Sequence, residues 1–249
     1  MKIKCITINT HGLREAKKRF NVLQWLKNSP PDVAFLQESH LLEIDKTCLQ
    51  KEWEGLVFLS PGEQHSAGVV TLLSRRLNAK VISTSSDPSG RYLLVIIEVE
   101  DKRIQFCNIY APNQVSARKN FFQNMSSVMK RGLPTIFGGD FNCIEDYFLD
   151  KIGGDKDLAI SALQARQQFN TTFQLKDVFR HLNLSAQVFT WSSANGSVSC
   201  RLDRFYVSED IFCNCSSSEL TYFPYSDHEA VILTFSLPDY AKKAKVCGS

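Results

Sequence analysis

The chain of 249 residues contains no apolar run of about 18 or more residues, so the sequence predicts no membrane span. It has no Cys-x-x-Cys pair, and its 5 histidines are not spaced to complete a zinc site with any of its 8 cysteines. Cys213 and Cys215 flank a single residue, while Cys5 and Cys107 lie inside apolar runs, where a thiol behaves as a small hydrophobe. That usage suits a reducing, intracellular compartment. Internal repeats, low-complexity blocks and a composition break that would mark a linker are missing too. The opening MKIKCITINT alternates apolar and polar residues and lacks the core of a signal peptide, so it reads as a first strand. Charge of one sign is scarce: the net charge is +3, which gives only a slight bias toward an anionic partner.

What is present is an ordinary globular composition, 43% hydrophobic and 22% charged, on a chain long enough to bury a core without staples. Basic residues gather at Arg14–Lys17–Lys18–Arg19, Arg75–Arg76, Arg118–Lys119 and Lys130–Arg131; each suits a solvated face as well as phosphate contact. Strand-like runs are expected at 3–9, 32–38, 67–74, 79–85, 92–100, 103–110, 134–138, 187–192, 198–207, 218–223 and 229–236. Helical patterns fall at 14–28, 116–131, 157–170 and 175–182. Pro30-Pro31 stops the first helix, and Gly132 with Pro134 stops the second. Many strands with a few interspersed helices predict an α/β layered domain with one or two mixed sheets over residues 1–238. Residues 239–249 read as a flexible tail.

Strand after strand ends in a residue capable of chemistry: Asn9, Glu38, Tyr110, Asp140. The stretch TIFGGDFNC, 135–143, leaves an apolar run, passes two glycines that permit close approach, and presents Asp140 and Asn142. In the last third, Asp203 sits among apolar residues and needs a partner, and His228 needs a group to fix its tautomer. Asp203 with His228 satisfies both, and Asp140 and Asn142 are placed to face that pair across a cleft. The set suits a phosphodiesterase. Glu38 fits a hard divalent ion such as Mg²⁺, Asp140 a base for water, and His228, Asn142 and Tyr110 donors to a charged phosphorus centre. Taken singly, a strand-end acid is a cap or a surface charge and Tyr110 is packing. His11, His40, His65 and His181 have no partner readable from the sequence, and Trp53 and Trp191 suit core or rim.

The ordered series Asn9 in TINTHGL, Gln37-Glu38 in FLQES, NIYAPN at 108–113, GGDFN at 138–142, RLDRF at 201–205 and SDH at 226–228 resembles the exonuclease–endonuclease–phosphatase superfamily. Within it the series is most similar to the apurinic-like endonuclease domain of non-LTR (LINE-type) retrotransposon polyproteins, over about residues 2–236. AGVVTLLS at 67–74 and SGRYLLVIIEVE at 89–100 are similar to that group as well. The resemblance implies a four-layer α/β/β/α sandwich with two packed mixed sheets. It implies Glu38 as metal ligand with Asp227 as a second carboxylate, and Mg²⁺ as the cofactor, with Mn²⁺ able to substitute. Asn9 and Asn142 position phosphate and water, Tyr110 contacts the scissile phosphate, Asp140 activates the nucleophile, and His228 with Asp203 stabilises charge. The implied DNA-contacting set is Thr190, Trp191, Asn195, Arg201, Leu202 and Lys151. The implied reaction nicks one strand of double-stranded DNA, leaving a 3′-hydroxyl that primes reverse transcription and a 5′-phosphate. The implied setting is nuclear, within a longer polyprotein carrying a reverse transcriptase.

Two positions depart from the superfamily's repair enzymes. His11 stands where those enzymes carry an aspartate, which removes a carboxylate from the metal region. Cys200 stands where they carry an aromatic residue, and a small thiol cannot clamp a flipped-out sugar, so abasic-site preference is expected to be poor. Asn195-Gly196 is a strong hairpin signal, and a hairpin rooted between Thr190 and Asp203 would project from the cleft rim toward a DNA groove. The competing readings are an abasic-site repair enzyme, another phosphodiesterase or phosphatase of the superfamily, and a degenerate DNA-binding module. The filled catalytic positions disfavour the last.

Overall fold

Side chains alternate across a strand, and in residues 2–9 both sets are apolar: Ile3 and Cys5 on one side, Ile6 and Ile8 on the other, all buried. A strand of that kind must be covered on both faces. The computed structural model, which describes residues 1–63, 66–155 and 159–237, meets that requirement with two sheets and flanking helices. In chain order it comprises β1 (Lys2–Asn9), α1 (Ala16–Asn28), β2 (Val33–Gln37), α2 (Lys46–Glu52), β3 (Leu56–Ser60), β4 (Val69–Leu73), β5 (Lys80–Ser86), β6 (Tyr92–Val99), β7 (Lys102–Tyr110) and α3 (Val115–Val128). There follow β8 (Thr135–Asp140), α4 (Tyr147–Asp150), β9 (Lys151–Ile152), α5 (Ile160–Thr172), β10 (Leu175–Asp177) and α6 (Val178–Leu182). The chain then forms β11 (Trp191–Ser192), β12 (Ser199–Cys200), β13 (Asp203–Ser208), α7 (Glu209–Phe212), β14 (Cys215–Thr221) and β15 (Ala230–Ser236).

One six-stranded sheet has the order β14-β15-β1-β2-β4-β3 and the other β10-β13-β8-β7-β6-β5. Each is mixed: β1–β2 and β7–β8 are parallel, and the remaining pairs are antiparallel. Their inner faces pack Ile3, Cys5 and Phe35 against Val95, Phe106, Ile136 and Phe205. The outer face of the first sheet lies under Val22, Leu23 and Leu26 of α1 and Leu49 of α2. The outer face of the second lies under Phe122 and Met125 of α3 and Ala165 and Phe169 of α5. This is the expected α/β/β/α sandwich. Each fully buried aliphatic or aromatic side chain contributes roughly 1.5–3 kcal/mol. No described helix is long and apolar enough to cross a membrane.

Several expected boundaries shift. Residues 187–192 form a strand only at β11. The run 198–207 is interrupted at 201–202, where Thr190 Oγ1 accepts the backbone N–H groups of Leu202 and Asp203 at 2.8 and 3.0 Å. The helix expected at 175–182 begins as β10, and the one at 157–170 is α5; residues 157 and 158 lie outside the described residues, as do His65, Cys247 and the 239–249 tail. The edge strand β3 and the short α2 give too brief a periodic signal to be read from sequence.

The inner-face stripe grades from apolar to polar along each central strand. It reads Ile3-Cys5-Thr7-Asn9 in β1, Val33-Phe35-Gln37 in β2, Phe106-Asn108-Tyr110 in β7, Ile136-Gly138-Asp140 in β8 and Val207-Phe205-Asp203 in the antiparallel β13. The polar ends of all five fall at the same end of the sandwich. Gly139 lets β7 and β8 approach there: at φ 140° a Cβ would lie 2.0 Å from the Ile109 carbonyl oxygen. Gly139→Ala is therefore expected to destabilise the domain by about 2 kcal/mol or more, read as a fall in thermal midpoint of several degrees; an unchanged midpoint would contradict this packing.

Candidate active site

At that polar end, register sets the first contacts. Tyr110 pairs with Asp140 across β7–β8, and Asp140 pairs with Asp203 across β8–β13. Like charges directly opposite on neighbouring strands repel, and both carboxylates here are 1% exposed. Three neighbours answer the repulsion. His228 Nδ1 is 2.8 Å from Asp203 Oδ2. Asn9 donates from Nδ2 to Asp140 Oδ2 at 2.9 Å. The Asn142 backbone N–H donates to Asp140 Oδ1, also at 2.9 Å. The Asn142 side chain donates to the Ala111 carbonyl at 2.8 Å, which fixes the turn after β8. Donor atoms of Asp140, Asp203 and His228 all lie within 4.8 Å of one another.

The protonation states follow from this geometry. Burial, then the Asp203 charge, pushes the Asp140 carboxyl up to about 6, with His228 and Asn9 opposing. Burial works against the His228 imidazolium, but the Asp203 charge and hydrogen bond, with Asp140 and Asp227, outweigh it and raise its pKa to about 10. An anionic Asp140 beside a cationic His228 is thus the state at neutral pH, suited to taking a proton and to neutralising developing negative charge.

The second half of the site lies next to β2. The Tyr110 hydroxyl donates to Glu38 Oε1, and burial followed by the Glu38 charge holds that phenol far above its ordinary value, so it stays a neutral donor. Around Glu38 Oε2 stand His11 Nδ1 at 3.7 Å and His40 Nε2 at 4.0 Å. Asp227 Oδ1 is 3.9 Å from His11 Nδ1, and Asp227 Oδ2 accepts from Trp191 Nε1 at 2.8 Å. That bond and the His228 charge hold the Asp227 carboxyl below its usual range, against partial burial. Glu38 and Asp227 both offer carboxylate oxygens beside the cleft, and their donor chemistry is that of a hard divalent cation's ligands, taken together with water and phosphate oxygens. The tighter trio of Asp140, Asp203 and His228 is buried and already bonded internally, which is the chemistry of a proton-transfer and charge-stabilising group.

Beside Glu38 opens a cleft of about 580 Å³ lined by His11, His40, Arg91, Tyr110 and Asn113. Another cavity, about 780 Å³, lies at the opposite end of the sandwich by Lys4, Asp32 and Arg76, and contains none of these residues. Two features escaped the sequence reading. Arg91 places its guanidinium 4.7 Å from the Tyr110 ring centre, and its Nη1 is buried with no hydrogen-bond partner. Below the site, Gln37 Nε2 donates to Asn108 Oδ1 at 2.7 Å and to Thr7 Oγ1 at 3.0 Å, and Asn108 Nδ2 donates to the Val70 carbonyl at 2.8 Å. This network joins the two sheets one layer beneath the carboxylates. The only advance signal of either feature was its place in the runs GRY, LQE and NIY.

The expected DNA-contacting set divides. The hairpin forms, with Trp191 opposite Cys200 and Ser192 opposite Ser199, and β12 continues the small sheet onto β9 through Cys200 and Lys151. Asn195 is exposed at the tip, its Oδ1 accepting from Ser193 and Ser197 hydroxyls. Trp191, Leu202 and Lys151 are partly exposed, and the Lys151 ammonium donates to the Asp155 carbonyl. Thr190 and Arg201 do not hold as DNA contacts, because both are 1% exposed. Thr190 braces the start of β13 through the two backbone bonds above. Arg201 donates to Asp150 Oδ1 at 2.7 Å and to Asp177 Oδ2 at 2.8 Å. His181 packs edge-on against Phe212 at 4.4 Å, away from the site.

Known proteins place this arrangement. The Endonuclease/Exonuclease/phosphatase family pattern matches residues 6–228. A Xenopus laevis protein, the transposon TX1 uncharacterized 149 kDa protein, is 32% identical over 249 residues; the match takes in 98% of this chain and 19% of that protein. The chain thus spans about a fifth of the length of that curated relative. Among solved structures, the AP endonuclease LMAP from Leishmania major superposes with a TM-score of 0.80 at 20% identity, covering 95% of this chain and 88% of that one. A 3′-phosphatase from Neisseria bound to a product DNA hairpin superposes with a TM-score of 0.69 at 17% identity, covering 94% and 99%. With the fold, the strand-end residues and the family pattern in agreement over most of its length, the chain belongs to the endonuclease/exonuclease/phosphatase family.

Proposed function

We propose that this domain is a Mg²⁺-dependent DNA endonuclease that nicks one strand of double-stranded DNA, leaving a 3′-hydroxyl and a 5′-phosphate. The nick primes reverse transcription within a longer, nuclear transposon polyprotein that carries the polymerase. The observation that carries the chemistry is the buried trio of Asp140, Asp203 and His228 with Asn9 bonded to Asp140. The transposon placement is supported by the 32% identity to the Xenopus transposon protein, and DNA as substrate by that relative together with the DNA-bound Neisseria phosphatase.

Asp140, held anionic at neutral pH and aimed by Asn9 and the Asn142 backbone, accepts a proton from the attacking water. His228, kept cationic by Asp203, offsets the charge that develops on the phosphate oxygens. Tyr110 and Arg91 add a neutral and a charged donor from the cleft side. A divalent cation held by Glu38 and Asp227 supplies Lewis-acid polarisation of the phosphate when bound. The small Cys200, 8% exposed between Trp191 and Lys151, offers no aromatic wall for an abasic sugar, which favours intact DNA over abasic sites.

Three outcomes are expected. Supercoiled plasmid is converted to open circles with Mg²⁺ and not with EDTA, and Asp140→Ala or His228→Ala each lowers the rate by about 10²–10⁴-fold. Full activity in either variant, or in EDTA, would overturn the assignment. Exchanging residues 193–198 for a two-residue turn is expected to redistribute the nick positions read by primer extension, with total nicking within about threefold of native, because the exchanged loop holds none of the groups in the general acid–base chemistry. An unchanged pattern would remove the hairpin from target choice. The third concerns the metal-free protein. His228 has its folded pKa raised above the unfolded value, so its contribution to stability is complete below about pH 6.5 and disappears as pH rises through about 10. In Asp203→Asn only the Asp140 and Asp227 charges remain to oppose burial at His228, so its pKa falls and the pH-dependent gain in stability shrinks. Denaturant titrations from pH 6 to 10 read this directly, and parallel curves for the two proteins would contradict the pairing.

A further inference from the structure

The two sheets meet at the site in a seam of polar contacts, each with one partner from either sheet. Asn9 of β1 donates to Asp140 of β8, Tyr110 of β7 donates to Glu38 just after β2, and His228 just ahead of β15 bonds Asp203 of β13. The geometry of the site therefore depends on how one sheet is offset against the other. Deeper along the strands the interface is apolar: Phe35 packs against Phe106 and Phe205, with ring centroids 6.4 and 5.9 Å apart. Apolar burial is strong but non-directional, so it holds the sheets together and does little to fix their offset.

Between the seam and that apolar layer sit two amides. Gln37 immediately precedes Glu38 on β2, and Asn108 lies two residues before Tyr110 on the same face of β7. Both are 0% exposed. Gln37 Nε2 donates to Asn108 Oδ1 at 2.7 Å and to Thr7 Oγ1 at 3.0 Å, and Gln37 Oε1 accepts from the Thr7 hydroxyl at 3.3 Å. Asn108 Nδ2 donates to the Val70 carbonyl at 2.8 Å. Every polar atom of the two amide groups is thus bonded. The Gln37 carbonyl also accepts the Thr10 N–H and hydroxyl, both at 2.9 Å, which fastens it to the chain leaving Asn9. Buried amides bonded to one another add little net stability over apolar side chains of the same shape. What they add is direction, because a buried polar pair is satisfied in only one register of the elements that carry it.

We propose that the Gln37–Asn108 hydrogen bond is a registry clasp between the sheets, and that Gln37 and Asn108 are positioning residues for phosphodiester nicking, acting through the Glu38–Tyr110 pair. The part that concerns nicking rests on the function proposed above. Neither amide lines the cleft, so both act through their neighbours. Gln37 sets where Glu38 leaves β2, and Asn108 sets how far Tyr110 reaches across to it. An offset of about 1 Å between the sheets parts Tyr110 from Glu38 and Asn9 from Asp140, and a misplacement of that size costs up to about 10²-fold in rate.

The test begins with NMR of the native chain without metal or DNA. The side-chain amide protons of Gln37 and Asn108 are expected to exchange slowly with solvent, and the Tyr110 hydroxyl proton to give a signal that vanishes in Tyr110→Phe. A triple variant, Thr7→Val with Gln37→Met and Asn108→Leu, replaces the polar cluster by apolar side chains of similar shape. Its thermal midpoint is expected to stay within about 3 °C of native, while the Tyr110 hydroxyl signal is lost to exchange. Its kcat for plasmid nicking is expected to fall about 10–100-fold, with KM within about threefold of native. A pair that served stability alone would leave the hydroxyl signal and kcat unchanged in a variant that stable. A second comparison uses no apolar substitution. Gln37→Asn shortens the bridge by one methylene and is expected to lose the hydroxyl signal; Gln37→Asn with Asn108→Gln restores the summed length and is expected to regain it. Fast amide exchange in the native chain would overturn the clasp. An unchanged hydroxyl signal and kcat in the folded triple variant, or no difference between the shortened and the exchanged pair, would overturn the positioning role. If the native chain does not nick, the proposed function fails, and the amide and hydroxyl protons still decide the clasp.

Discussion

The repulsion between Asp140 and Asp203 organises this protein. The β8–β13 register sets two buried carboxylates directly opposite each other, where neither can be hydrated. An isolated buried charge is costly, and two of the same sign are worse. The fold resolves the conflict by importing a cation. His228 arrives from the sheet opposite, just ahead of β15, and bonds Asp203. One carboxylate is thereby neutralised in a pair, and the other keeps a raised pKa of about 6 with Asn9 as its side-chain donor. The residual tension is what makes Asp140 a usable base at neutral pH. If Asp203 were satisfied elsewhere, His228 would lose its hydrogen-bonded carboxylate and the main support for its charge.

Holding that geometry demands a rigid base under Asp203, and the chain supplies it with buried arginines. Asp150 receives Arg201 at 2.7 Å and Arg180 at 2.8 Å, with Arg204 3.6 Å away. Arg201 and Arg204 flank Leu202-Asp203, so both sides of Asp203 are anchored to one carboxylate. Burial would raise the Asp150 carboxyl, but the Arg204 and Arg201 charges hold it well below its usual value. Buried ion pairs of this kind add little net stability against apolar replacements, yet removing one partner costs about 3–5 kcal/mol. Their value here is positional. A second set, in which Arg166 Nη1 donates to Glu145 and Tyr206 donates to the same carboxylate, steadies the outer face of β13.

The strands of the layered fold and the convergence of the candidate site residues were legible from local rules, whereas the four-layer arrangement came from the family resemblance. Period-two alternation marks the strands, and the switch from apolar to polar within one stripe marks where they emerge. Asn9 and Asp140 each close a strand and Asp203 opens the antiparallel β13, all on the inner face, so their convergence needed only that the strands pack. What stayed hidden depends on partners distant in sequence. Arg201 reads as a surface cation beside a hairpin; its burial is decided by Asp150 and Asp177, 51 and 24 residues away. Thr190 reads as a rim residue, and only the path of residues 202–203 turns its hydroxyl inward. Gln37 and Asn108 meet across the sheet interface, 71 residues apart, which no periodicity announces.

The same geometry separates chemistry from recognition. The chemical groups sit on strand ends braced by both sheets, whereas the rim is a separate three-stranded sheet of β11, β12 and β9. The two touch at few points: the Trp191–His228 bridge, the Trp191–Asp227 hydrogen bond, and the Thr190 contacts to Leu202 and Asp203. Beyond them, the hydrogen bonds of residues 193–198 to other described residues run within the hairpin, such as Ser193 to Val198 and Asn195 to Ser197. A change at the tip therefore alters the surface presented to a ligand without moving Asp140 or Asp203. Trp191 belongs to both halves. Its indole N–H fixes Asp227 and its backbone carries the hairpin, so the position of the rim and the orientation of that carboxylate are set by one residue.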